Sequence, residues 1–151
     1  MLRARLSDAL KTAMKAHDAL TVSTVRMILA GLKDRDIAAR GKGNADGISD
    51  AEIQQLLQSM VKQRRESMVM YEQGNRPELV AQEGAEIAVI EGFMPKQLSD
   101  AALEEAVVAA IAATGAQAAK DMGRVMAALR DKHAGQMDFG KAGAVAKKKL
   151  G

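Results

Sequence analysis

The feature that most constrains the fold is an apolar residue at every third or fourth position along each long segment. Two such stripes open the chain, at Leu2, Leu6, Leu10, Ala13 and at Val25, Ile28, Leu29, Leu32. This is the period of an α-helix that buries one face. Aromatic residues make up only 2% of the 151 residues and β-branched residues are sparse, which disfavours strands. The sequence therefore predicts an all-α fold.

Helix-start and helix-stop signals place four helices in the first part of the chain. The second predicted helix ends before segment 41–47, where three glycines favour an exposed, flexible loop. Ser49 and Glu52 then form the S-x-x-E pattern of a capping box. The helix that they begin is expected to run to Gly74, as its C′ residue, and Pro77 suits the first turn of a fourth helix.

Three further helices are predicted after Pro95, which ends the fourth helix because the residue before a proline is disfavoured in α geometry. Ser99 is the expected N-cap of the fifth helix, and Gly115 closes it. Asp121 and Asp138 are the expected caps of the sixth and seventh helices. The predicted organisation is therefore a four-helix subdomain, residues 1–94, and a three-helix subdomain, residues 95–151.

Cysteine usage and the absence of long apolar runs set expectations about the compartment. The chain has no cysteine, so disulfides, thiolate metal sites and thiol nucleophiles are excluded. The first eight residues lack the apolar stretch of a signal peptide, and no run reaches the ~20 apolar residues of a membrane helix. From these features we expect a soluble, cytoplasmic protein without a membrane partner.

Charge is distributed unevenly along the chain. Residues 1–74 carry a net charge of +3, residues 75–115 a net charge of −5, and residues 116–151 a net charge of +5. Such a basic last quarter is suited to a phosphate backbone or an acidic protein. A solvated helix surface on a basic protein is the alternative explanation of the same pattern.

The basic residues of the long third helix and of the last quarter are the candidate nucleic-acid contacts. They are Lys62, Arg65, Lys120, Arg124, Lys141, Lys147, Lys148 and Lys149. Lysine and arginine neutralise phosphates, whereas few aromatic residues means little base stacking. We therefore expect structured RNA, such as a tRNA, to be bound through its backbone. The alternative assigns Lys62 to an ion pair with Glu66, and Arg26 and Arg64 to fold-stabilising pairs with Glu86.

No segment has the pattern of a catalytic centre. The serines are scattered, and none lies in a glycine-rich nucleophile loop. Gly41-Lys42-Gly43 lacks the spacing of a phosphate-binding P-loop. His17 and His133 are solitary, without a second metal ligand at helical spacing. We therefore assign no catalytic residue, no cofactor and no metal.

Several motifs, taken in order, resemble the GatB/YqeY family. Residues 25–28 read V-R-M-I, residues 62–67 read K-Q-R-R-E-S, residues 86–100 read E-I-A-V-I-E-G-F-M-P-K-Q-L-S-D, and residues 121–126 read D-M-G-R-V-M. The family pattern has leucine where this chain has Val25, and often Tyr-Leu-Pro where it has Phe-Met-Pro. Both exchanges keep apolar bulk. The likeness extends along nearly the whole chain, and the free-standing members are the more similar form.

The resemblance implies a multihelical fold of two subdomains and a connection to tRNA. In this family the related domain is the tail of the tRNA-dependent amidotransferase B subunit, which helps to hold the tRNA. A non-catalytic module that binds tRNA or a tRNA-handling enzyme is thus the leading hypothesis, with a protein-interaction module lacking RNA binding as the alternative. A third hypothesis, carbon–nitrogen ligase activity with glutamine as amido donor, is inherited from the whole amidotransferase.

Overall fold

The computed structural model describes residues 1–151 and contains seven α-helices and no strand, so the predicted all-α fold is confirmed. The chain forms two compact units, Met1–Met94 and Pro95–Gly151. Four helices lie in the first unit and three in the second. Each unit has its own cluster of buried apolar side chains, and the two are described in turn.

The first unit consists of four helices around one core. They are α1 (Leu2–Lys15), α2 (Ala19–Gly41), α3 (Asp50–Gln73) and α4 (Pro77–Glu91). The longest helix, α3, has 24 residues and so extends about 36 Å. It packs along α4, while α2 packs on both α1 and α4. The fully buried side chains come from all four helices and include Leu6, Ile28, Ile53, Leu57 and Ile90.

The start of α3 is as the sequence predicts, but its end differs. The Ser49 hydroxyl accepts the Glu52 N–H at 3.2 Å, and a Glu52 carboxylate oxygen accepts the Ser49 N–H at 2.7 Å. Gly74, the expected left-handed residue, has an ordinary φ of −83°. Asn75 takes the left-handed conformation instead, with φ 55°. Asparagine tolerates this region better than most other non-glycine residues, so the left-handed residue can lie one position beyond the glycine at which the sequence predicted it.

The glycine-rich loop is fixed at its C-terminal end by one arginine–aspartate pair. Two guanidinium nitrogens of Arg3 lie 2.7 Å from the two carboxylate oxygens of Asp36, and one of them also donates to the Ile48 carbonyl at 2.8 Å. Asp36 accepts the Ile48 N–H at 2.9 Å. The Arg3 hydrogen bond lowers the pKa of Asp36 to about 2. Gly47 has φ +82° beside this pair, where a Cβ would clash with the Asp36 carboxylate.

The second unit is a three-helix bundle in which every pair of helices is in contact. Its helices are α5 (Asp100–Thr114), α6 (Met122–His133) and α7 (Phe139–Leu150). Val107, Val125 and Leu129 are buried at its centre. Ala142 and Ala146 of α7 have no exposed surface, because small side chains let this helix lie close to the other two.

The turn between α5 and α6 differs in detail from its prediction. Gly115 ends α5 in the left-handed conformation at φ 66°, as expected of a C-terminal glycine. Asp121 does not cap α6 through its side chain. Its carboxylate accepts the N–H groups of Gln117 and Ala118 at 3.0 and 3.3 Å and so stabilises a short 3-10 turn, Ala119–Asp121, that the sequence did not indicate.

Candidate nucleic-acid interface

Two of the eight candidate residues lie on the outer side of α3, and their surroundings differ. Lys62 is exposed and has no ion-pair partner, so the pair expected with Glu66 is not formed. An Arg65 guanidinium nitrogen lies 3.3 Å from a carboxylate oxygen of Glu91 in α4. Both side chains of this pair are well exposed, at 65% and 41%. Lys62 therefore offers the less hindered positive charge for an anionic ligand.

The neighbouring Arg64 stabilises the fold. Its Nε donates to a Glu86 carboxylate oxygen at 2.9 Å, and both side chains are only 11% exposed. Arg64 also donates to the Met60 carbonyl at 3.3 Å. Arg26, the other expected partner of Glu86, is exposed and forms no ion pair. One of the two alternative pairings proposed from the sequence is therefore present.

Near the start of α6, Lys120 and Arg124 have different surroundings. Lys120 is exposed and without an ion-pair partner. Arg124 donates to the Thr114 carbonyl at 2.9 Å and to an Asp121 carboxylate oxygen at 2.7 Å. Backbone N–H donors and Arg124 together hold the pKa of Asp121 down at about 2. Arg124 thus ties the end of α5 to the start of α6, and much of its hydrogen-bonding capacity is used within the fold.

The four lysines of α7 divide into two paired and two unpaired groups. Lys149 Nζ lies 3.1 Å from Glu104, and Lys141 Nζ lies 3.9 Å from Asp100. Lys147 and Lys148 are exposed and without an ion-pair partner. Lys141 and Lys148 are seven residues apart, which places them on one face of α7 about 10 Å from each other. Lys147 precedes Lys148 and lies about 100° away around the helix, so the two unpaired lysines do not share this face.

Three exposed cations of the second unit, Lys96, Arg130 and Lys132, were not among the predicted contacts. Lys96 and Lys132 have no ion-pair partner, and neither belongs to the lysine run at 147–149. The guanidinium of Arg130 lies 5.5 Å from the centre of the Phe139 ring. This cation lies over the only Phe, Tyr or Trp ring of the unit, so that face of Phe139 is not free to stack on a base.

The P-K-Q-L motif after Met94 is structural. The Leu98 N–H donates to the Gln136 carbonyl at 2.8 Å, and the Gln97 amide donates to the Gly135 carbonyl. The Gln136 amide donates back to the Lys96 carbonyl at 3.4 Å. These bonds attach the segment before α5 to the loop between α6 and α7. A motif that is distinctive in the sequence thus serves the packing of the bundle.

A shallow cavity of about 350 Å³ lies at the turn between α3 and α4. Its lining residues are Glu72, Asn75, Arg76, Pro77, Val80 and Ala81. Arg76 is paired with Glu78 at 2.6 Å, and the lining includes no serine, lysine or histidine. No group of three or more His, Cys, Asp or Glu side chains is placed to hold a metal ion. None of the helices is both long and apolar enough to cross a membrane.

Comparison with known proteins gives a family match and a set of fungal relatives. A family model described as Yqey-like protein matches residues 3–150. The protein named "Altered inheritance of mitochondria protein 41, mitochondrial" from Lachancea thermotolerans is 33% identical over 91 residues, which are 60% of this chain and 46% of the relative. Its namesake in Saccharomyces cerevisiae is 32% identical over 89 residues, 59% of this chain and 46% of that protein. The match thus spans about half the length of these relatives.

The expectation of a cytoplasmic protein is contradicted by these relatives, because each of them carries "mitochondrial" in its name. The prediction rested on the lack of cysteine and of a secretory signal. Both features argue only against the oxidising secretory route. The lack of cysteine and of a secretory signal does not distinguish the cytosol from an organelle outside the secretory route. For this reason the prediction was wrong.

Proposed function

Since this chain belongs to the YqeY-like protein family, we propose that it is a non-catalytic helical module that binds tRNA through the phosphate backbone. The observation that carries the proposal is the pair Lys147 and Lys148, exposed on α7 and not neutralised by any carboxylate. Among the other predicted contacts, Lys120 is also exposed and unpaired in the same unit, and Lys62 is so in the other. Unpaired, exposed ammonium groups can exchange their counterions for phosphates without first breaking an ion pair.

The scarcity of aromatic side chains in the second unit indicates which kind of nucleic acid it would bind. Single-strand binders stack bases on aromatic side chains, each worth about 1–3 kcal/mol. Among Phe, Tyr and Trp the second unit has only Phe139, over which Arg130 lies, and the ring of His133 contacts the Gln136 side chain. A surface with exposed cations and few aromatic side chains is suited to a folded RNA that is recognised by shape and backbone. This favours tRNA over unstructured RNA.

The proposal is tested by fluorescence anisotropy with bulk tRNA over a salt series. Each phosphate-contacting lysine that is replaced is expected to lower the magnitude of the log K versus log [salt] slope by about 1. The variant K147Q/K148Q should therefore lose about 2 from that slope. The control K11Q/K33Q removes two exposed lysines from the first unit and should leave the slope unchanged. Equal slopes for the two variants would contradict the proposed surface.

A protein-interaction module remains the second candidate, because part of the surface is apolar. Val108 of α5 is 48% exposed, and Val69 and Met70 of α3 are 53% and 71% exposed. Helix α5 has three acidic residues and no basic one. An absence of tRNA binding at low salt, together with protein capture that nuclease does not reduce, would favour this candidate over the first.

A further inference from the structure

Two acidic residues in the first half of α5 lie near lysines of α7. Glu104 lies 3.1 Å from Lys149 Nζ, and Asp100 lies 3.9 Å from Lys141 Nζ. Glu105 is next to Glu104 in sequence but points about 100° away around the helix, and it has no ion-pair partner. Carboxylate and phosphate oxygens are both anionic acceptors for an ammonium group, so they compete for it. The Lys149–Glu104 pair is the stronger competitor of a polyanion, because the Lys141–Asp100 contact joins side chains that are 67% and 95% exposed.

Resting on the tRNA-binding function proposed above, we propose that Glu104 is an internal counter-charge to Lys149 that limits RNA affinity and directs α7 towards double-helical stems. The Lys149 side chain is only 33% exposed, whereas the Lys147–Lys148 pair is open to solvent. A phosphate that contacts Lys149 competes with Glu104 for its ammonium group. A duplex presents about twice the phosphate charge of a single strand per unit length, so it competes better.

The decisive comparison is between Glu104→Gln and Glu105→Gln. Each removes one negative charge from adjacent positions of α5, but only Glu104→Gln releases Lys149. We expect Glu104→Gln to raise tRNA affinity about twofold to fivefold above the Glu105→Gln variant, the range of an exposed ion pair. Its salt slope should become steeper by about 1, for one additional phosphate contact.

A second substitution separates the ion pair from general electrostatics. Lys149→Gln should have little effect on tRNA affinity in the otherwise native chain, yet should abolish the gain caused by Glu104→Gln. The ratio of affinities for tRNA and for oligouridine with the same number of phosphates should fall in the Glu104→Gln variant. Circular dichroism checks that the substituted proteins keep their helices.

The outcomes distinguish this inference from the function on which it rests. If the native chain binds tRNA with salt dependence but Glu104→Gln and Glu105→Gln shift affinity equally, the counter-charge inference is overturned and the proposed function stands. If the native chain does not bind tRNA even at low salt, both are overturned. A gain specific to Glu104→Gln that requires Lys149 supports the inference.

Discussion

The largely buried pair between Arg64 and Glu86 gives the sharpest prediction about stability. Both side chains are 11% exposed and their atoms lie 2.9 Å apart. Removing one partner of a buried ion pair costs about 3–5 kcal/mol when the other charge is left without an acceptor. In Glu86→Gln the amide oxygen can still accept a hydrogen bond from Arg64, so we expect the free energy of unfolding to fall by about 2–3 kcal/mol.

The exposed pair between Arg65 and Glu91 joins the same two helices and supplies a matched control. Because these side chains are 65% and 41% exposed, Glu91→Gln should cost no more than about 1 kcal/mol. Urea unfolding is followed by fluorescence of Tyr71, the only tyrosine in a chain without tryptophan, which lies in α3. Equal losses in the two variants would refute the argument that burial sets the cost.

Two further predictions concern the loop fixed by Arg3 and Asp36. The pKa of Asp36 is lowered to about 2 from its ordinary 3.8. The contribution of this carboxylate to stability is therefore present above about pH 4 and is lost as the pH falls towards 2. Asp36→Asn should flatten the pH dependence of the free energy of unfolding, measured in urea, across that window. Gly47→Ala should lower the free energy of unfolding by about 1–3 kcal/mol, because its φ is +82° and the new Cβ meets Asp36. Gly43→Ala is the control, because its φ is +92° but no atom lies within 4 Å of the new Cβ. If it lowered the free energy of unfolding as much as Gly47→Ala, the clash with Asp36 would not be the cause.

Local signals in the sequence were sufficient to predict the helices and several of their ends. The capping box at Ser49 and the left-handed Gly115 use bonds within a few residues, so composition and spacing specify them. At the end of α3 two neighbouring residues could each adopt the left-handed conformation. Asn75 rather than Gly74 does so, a choice that spacing alone does not decide.

The electrostatic partners of the candidate site could be predicted less well, since they lie far apart in sequence. From the sequence, both Arg64 and Arg26 could pair with Glu86. The structure shows that Arg64 does so, with its Nε 2.9 Å from a Glu86 carboxylate oxygen, because α3 packs on α4. The pairing of Lys149 with Glu104 spans 45 positions and depends on how α5 and α7 pack. A count of basic residues finds a positive segment, but only the fold shows which charges are already neutralised.

The number of phosphate contacts made by the native chain is the most direct test of tRNA binding through the backbone. It is measured as the slope of log K against log [salt] for bulk tRNA. If Lys120, Lys147 and Lys148 each contact a phosphate, the account predicts micromolar or tighter binding at low salt and a slope of about −2 to −3. Binding that does not change with salt, or no binding at low salt, would contradict recognition through the phosphate backbone.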